Sequence, residues 1–278
     1  MPLVTTAELV RDAGSRGGGV AAFNVITLEH AEGIVAGAQR SGRPVILQVS
    51  ENTVKFHGGR IRPLAAALAA LASDAEVPVS LHLDHAESAQ LWHEAATAGY
   101  SSVMVDYGSL PYEQNVAITA DATKRLHAHG LAVEAELGYV GGKDTQAASA
   151  HAPGVRTEPR QAQTFVTATG VDSLAVAVGS AHAMTTQTAE LDIDLIAALR
   201  EAVPVPLVLH GSSGVPDDTL RQAVRAGIVK VNIGTALNIA YTGALRAALT
   251  YKTDPRPPMH AARAAVADAV AHLLDVVG

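Results

Sequence analysis

The chain has 278 residues, 48% of them apolar, enough for one large core or two ordinary domains, and its net charge of -7 comes from 20 basic and 27 acidic residues. It has no Lys/Arg block, which excludes an electrostatic footprint for nucleic acid or an anionic membrane and favours a protein acting on small molecules. Cysteine is absent, so disulfides and thiolate metal sites are excluded, and a transition-metal site has only histidine and carboxylate to draw on.

Residues 1–18 lack a continuous apolar stretch, and no run of about 18 uncharged apolar residues occurs later, so a cytoplasmic protein is expected. Short β-branched or apolar runs then alternate with Ala-rich segments of helical period. Strands are expected at 20–24, 44–50, 79–84, 102–106, 132–137, 173–178, 206–210 and 228–233. Helical patterns fill the intervals, among them 29–40, 62–73, 87–98, 113–129 and 217–226. Eight such units with no Pro/Gly/Ser-rich linker predict a single-domain α/β fold, a (β/α)8 TIM barrel spanning the whole chain.

In such a barrel the chemistry sits at the C-terminal ends of the strands. Nearly every predicted strand here ends in a polar residue: Asn24, Ser50, Asp84 with His85, Asp106, Glu136, His210 and Asn232, with His182 just past the sixth. Of 12 histidines, only His85, His182 and His210 recur in this setting, and only a closed barrel would bring them around one metal. His82 alternates with Asp84 and so shares its strand face as an interior residue. The other eight, His30, His57, His93, His127, His129, His151, His260 and His272, read as solvated or hydrogen-bonded side chains.

"VEAELGYVGGKD" at 133–144 puts Glu134 and Glu136 on one strand face; acids in a strand interior imply pairing or a cation. The stretch 139–159 lacks helical period and has the profile of an active-site lid. "HGSSG" (210–214) and "NIGT" (232–235) are small-residue turns expected to lead into helices, where exposed backbone N–H groups bind phosphate.

These strings together resemble the class II, metal-dependent ketose-bisphosphate aldolases of the fructose- or tagatose-bisphosphate type. "HLDH", "VEAELGYVGG", "GVDSLAVAVGSAH", "VLHGSSG", "KVNIGT" and "DPR" (254–256) follow one another as the blocks of that family do, over nearly the whole chain. The resemblance implies zinc on His85, His182 and His210, with Asp84 as the proton carrier at the C4 hydroxyl of a ketose 1,6-bisphosphate. The products would be dihydroxyacetone phosphate and an aldehyde such as glyceraldehyde 3-phosphate.

It further implies that Gly211, Ser212, Ser213, Asn232, Ile233, Gly234 and Thr235, with Gly179 to Ala183, hold the dihydroxyacetone phosphate end, where a monovalent cation (Na+ or K+) is often added. Asp106 and Glu136 match a second or alternative divalent position, and Asn24 and Ser50 match substrate contacts. Arg256 matches an arginine reaching the far phosphate from a neighbouring subunit, which implies a homodimer or homotetramer. Asp144 stands where the family has the lid glutamate that moves a proton at the carbanion carbon, and a side chain one methylene shorter predicts slow exchange there. Ala183 and Thr185 stand where glycine and tyrosine are common. Three other readings fit parts of the pattern: an aldolase for another ketose 1-phosphate or a sulfonated analogue, a hydrolase or isomerase on the same metal, and a metal-retaining sugar-phosphate-binding protein with impaired catalysis.

Overall fold

Strict alternation explains why 45–50 (VILQVS) forms a strand: Val45, Leu47 and Val49 join the main apolar cluster, while Ile46 belongs to a second one and Gln48 is a buried polar residue. The same division recurs around the sheet. In the computed structural model, which describes residues 2–138, 140, 156–249 and 253–278, the elements run α1 (Thr6–Ser15), β1 (Val20–Asn24), α2 (Leu28–Ser41), β2 (Val45–Ser50), α3 (Glu51–Phe56), α4 (Ile61–Asp74), β3 (Val79–Ala86), α5 (Ala89–Ala98), β4 (Ser102–Val105), α6 (Tyr112–His127), β5 (Ala132–Leu137), α7 (Pro159–Thr169), β6 (Ser173–Val176), α8 (Ile193–Ala202), β7 (Leu207–Leu209), α9 (Asp217–Ala226), β8 (Ile228–Ile233), α10 (Thr235–Ala248) and α11 (Arg256–Val277).

Each strand pairs in parallel with the next, and β8 pairs back onto β1 through Val20 opposite Lys230, closing an eight-stranded barrel. The chain is a single-domain (β/α)8 barrel. Helices cover the outside, and the outward strand residues pack beneath them in one continuous core. Leu9, Val10 and Ala13 of α1 pack on Val20, Ala22, Ile46 and Val229, sealing the N-terminal end of the barrel. A capping box fixes the start of α1, with Thr5 and Glu8 satisfying each other's backbone N–H groups. No helix among the described residues is long and apolar enough to cross a membrane.

The predicted strands at 20–24, 132–137 and 228–233 match β1, β5 and β8. Three local differences bear on function. A short helix, α3, follows β2 directly, its N-terminus capped by the Ser50 hydroxyl, which accepts from the Thr53 N–H at 3.2 Å; six residues carry no readable period. The turn after β7 is a single 3-10 turn, Ser212–Gly214, rather than the start of an α-helix. Lastly, β3 continues through His85 to Ala86.

That extension contains a bulge. Leu83 pairs with Val103 and Ala86 with Val105, so Asp84 and His85 together face the single residue Met104. In a regular strand the two would point to opposite faces. The bulge, with His85 at φ +48, turns both toward the mouth of the barrel. A positive φ at a non-glycine residue costs about 1–3 kcal/mol and is typical of residues placed for function.

Candidate metal and active site

The inward residues of the barrel are polar over much of their length. Gln48, His82, Asp84, Glu134, Glu136, His210, Lys230 and Asn232 are all buried. Above them, at the C-terminal ends of the strands, opens a cavity of about 730 Å³.

His85, His182 and His210 meet in that cavity. One ring nitrogen of each lies within 4.8 Å of the others, and among the described residues this is the group able to share one metal ion. The rings pack edge to face, with centroids 4.8 to 5.8 Å apart. His85 donates from Nδ1 to Asp106 Oδ2 at 2.7 Å, which leaves Nε2 as its ligand atom.

His210 Nε2 lies 2.9 Å from Glu134 Oε1 and 3.0 Å from the Asn232 amide nitrogen. A carboxylate only accepts, so Nε2 carries the proton and donates to Glu134, and the Asn232 amide, itself a donor, gives its N–H to Asp84 Oδ1 at 3.4 Å rather than to the ring. His210 Nδ1 has no hydrogen-bond partner among the described residues and lies 3.5 Å from Glu136 Oε2. Burial holds the His210 imidazole well below its ordinary titration range, and the charges of His85, Lys230 and His182 push the same way against Asp84. A neutral imidazole with a buried, unbonded nitrogen is the ligand form. The donor set fits a divalent metal.

Asp84 sits beside these rings, 2% exposed, with Oδ1 4.0 Å from His85 Nε2. Asn24 Nδ2 donates to Asp84 Oδ2 at 3.1 Å and Asn232 Nδ2 to Oδ1 at 3.4 Å, while Gln48 Nε2 donates to Asn24 Oδ1 at 2.9 Å. Burial opposes ionisation of Asp84, but its basic neighbours, His85 first and Lys230 among them, outweigh it and hold the carboxyl below its ordinary value. The residue is therefore a carboxylate at neutral pH, able to take a proton.

The class II fructose-bisphosphate aldolase family model matches residues 4–278. The chain belongs to that family. Its fold matches the YdjI aldolase of Escherichia coli K12 at 32% identity and a TM-score of 0.87, covering 99% of this chain and 97% of that one. A candidate fructose-1,6-bisphosphate aldolase from Coccidioides immitis matches at 27% identity and TM-score 0.87, over 98% and 95% of the two chains. The fructose-bisphosphate aldolase Fba of Campylobacter jejuni shares the fold at 22% identity and TM-score 0.83, over 99% and 95%. Membership of the class II aldolase family implies a lyase.

The remaining expected site residues of this class II aldolase divide into two groups. Asn24, Ser50, Ala183, Gly211, Ser213, Asn232, Gly234 and Thr235 line the cavity, as does Asp106. Gly234 and Thr235 open the 14-residue helix α10, and Ser213 Oγ accepts from the Ala236 N–H at 3.1 Å, so the helix N-terminus and the 3-10 turn are joined at the mouth. Gly211 has φ +66, and a Cβ there would fall 2.6 Å from the Ala181 backbone. Ala183 holds φ +59 without being glycine, a strain of about 1–2 kcal/mol.

Gly179, Ser212, Ile233, Glu136 and Arg256 do not line the cavity. The Ser212 hydroxyl donates to the Asn232 carbonyl, and Ile233 faces the helices in the main core. Gly179, at φ +121, makes the turn toward His182. Arg256 is exposed and paired with Asp254 at 2.8 Å. Asp106 and Glu136, expected at a second divalent position, lie against His85 and His210 respectively, and neither belongs to the three-residue group. Asp144 and most of the expected lid, 139–159, lie outside the described residues.

His82 is interior as expected, bonded to Ser102 Oγ at 2.7 Å. Of the other histidines, His30 stacks on Tyr241, His57 bonds the Ile26 carbonyl, and His127 and His272 pair with Asp172 and Asp217; His151 is outside the described residues. Sequence reasoning missed Gln48, which steadies Asn24; a polar residue between Leu47 and Val49 of a buried strand was its signal.

Gly234 supplies a test of this hydrogen-bonded chain. A Cβ there would come 2.7 Å from Asn24 Oδ1, and Asn24 is pinned by Gln48 and Asp84. Gly234→Ala is expected to displace Asn24 and with it Asp84, lowering kcat/KM by about 10²-fold. Steady-state kinetics beside a thermal midpoint checks it; unchanged kinetics in the folded variant would detach Asn24 from the site.

Proposed function

We propose that the protein is a zinc-dependent class II aldolase that reversibly cleaves a ketose 1,6-bisphosphate, of the fructose or tagatose type, to dihydroxyacetone phosphate and an aldehyde such as glyceraldehyde 3-phosphate. The observation that carries this reading is the convergence of three imidazoles within 4.8 Å beside the buried carboxylate of Asp84. His85, His182 and His210 would hold the zinc, which when bound supplies Lewis-acid stabilisation for charge developing on the substrate ketone. Asp84 takes the proton from the substrate hydroxyl next to the breaking bond and returns it in the condensation direction. Asn24 and Asn232 keep its oxygens aimed at that hydroxyl.

At the phosphate end, Gly211, Ser213, Gly234, Thr235 and the Ala183 segment would bind the dianion through the start of α10, with a monovalent cation (Na+ or K+) alongside. Asp106 and Glu136 serve an alternative divalent position in this reading, and Arg256 reaches the far phosphate of a neighbouring subunit in a homodimer or homotetramer. Asp144 is the lid acid/base. The proposed setting is the cytoplasm.

The test is a product assay on a panel of ketose 1-phosphates and 1,6-bisphosphates, run with zinc and with chelator. Dihydroxyacetone phosphate from a bisphosphate, lost on chelation, is the expected result. Release of inorganic phosphate alone, or no triose phosphate from any member with zinc bound, would overturn the reading.

A further inference from the structure

Lysine almost never lies fully inside a barrel, yet Lys230 in the middle of β8 is 1% exposed. Its Nζ donates to Glu134 Oε2 at 2.8 Å. The other oxygen of that carboxylate, Oε1, accepts from His210 Nε2 at 2.9 Å. Glu134 is itself 2% exposed, with a basic side chain on each of its two oxygens. His82 is the other basic group at this level, but its Nε2 stands 4.0 Å from Glu134 Oε2, too far to direct it.

The three residues form one hydrogen-bonded chain inside the barrel: ammonium, carboxylate, imidazole. Fixing one carboxylate oxygen on Lys230 fixes the plane of the other, and that oxygen selects which ring nitrogen of His210 carries the proton. The remaining nitrogen, Nδ1, is then offered to the centre shared with His85 and His182. An apolar side chain at 230 would fill the same space without giving Glu134 a direction.

We infer that Lys230 is a positioning residue for the metal site, acting through Glu134 to hold His210 as the Nε2–H tautomer with Nδ1 facing the other two histidines. The inference rests on the reading of the three histidines as zinc ligands. Its first test needs no metal. The ring-nitrogen NMR shifts of His210 in metal-free protein are expected to show a single Nε2–H tautomer, and Lys230→Met is expected to give a mixture. Zinc affinity, measured by competition with a chromophoric chelator, is expected to weaken by about 10–100-fold in Lys230→Met.

Removing one charge strands the other inside the barrel; should Lys230→Met fail to fold, Lys230→Met/Glu134→Gln removes both and carries the test. In that double variant the thermal midpoint is expected to recover while zinc affinity stays weakened, a split that a purely structural role would not produce. A folded variant with an unmixed tautomer and unchanged zinc affinity would overturn the role of Lys230. Absence of zinc binding by the unaltered protein would instead overturn the metal site, with the tautomer measurement still deciding for or against Lys230.

Discussion

Asp84→Asn is expected to lower kcat for cleavage of the preferred ketose bisphosphate by about 10²–10⁴-fold, the span of general acid–base catalysis by one positioned side chain. The substitution keeps the shape of the side chain and an oxygen for one of the two amide donors, Asn24 and Asn232. What it removes is the basic oxygen. Because Asp84 acts on a proton rather than on the phosphate, KM should move little. The neighbouring basic groups now face a neutral amide, and the variant is not expected to gain a compensating base. Kinetics with the bound metal quantified alongside checks this. A kcat reduced by less than about threefold, far short of that general-base span, in a variant that still carries metal would remove Asp84 from the proton transfer.

His182→Ala is expected to abolish metal-dependent cleavage, a loss of about 10³-fold or more, corresponding to about 4 kcal/mol of stabilisation supplied by a bound cation. His182 suits the test better than His210, because it is only partly buried while His210 is 0% exposed and bonded to Glu134. Truncation there should leave the barrel folded. Chelation of the unaltered protein should produce the same loss, reversed by added zinc; the variant should not recover at stoichiometric zinc. Persistent turnover in chelator would show that the three imidazoles serve something other than a metal.

Much of this was legible because a parallel barrel leaves a plain trace: apolar runs at regular intervals, each ending in a polar residue. The eight strands followed from that trace, which also set His85, His182 and His210 at strand ends, while the resemblance to the aldolase family named them as one metal set. The bulge that turns both Asp84 and His85 inward did not, since it exists only in the register of β3 against β4. The Gln48–Asn24–Asp84 chain was hidden for the same reason, its members lying on three different strands. Lys230 did leave a sign, a lysine inside the apolar run Ile228–Ile233, of the same kind as Glu134 in its own strand. Its meaning required knowing that β5 and β8 face each other across the interior.

The ion pair between Glu134 and Lys230 also constrains how the chain reaches its native state. The partners are separated by 96 positions and Glu134 from His210 by 76, so neither contact offsets its loop-closure entropy until the last strands are in place. A fragment ending after β6 would carry a desolvated carboxylate with no cation to meet it, which disfavours a stable half-barrel. Ring closure and completion of the histidine cluster are thereby coupled, since both need the last two strands.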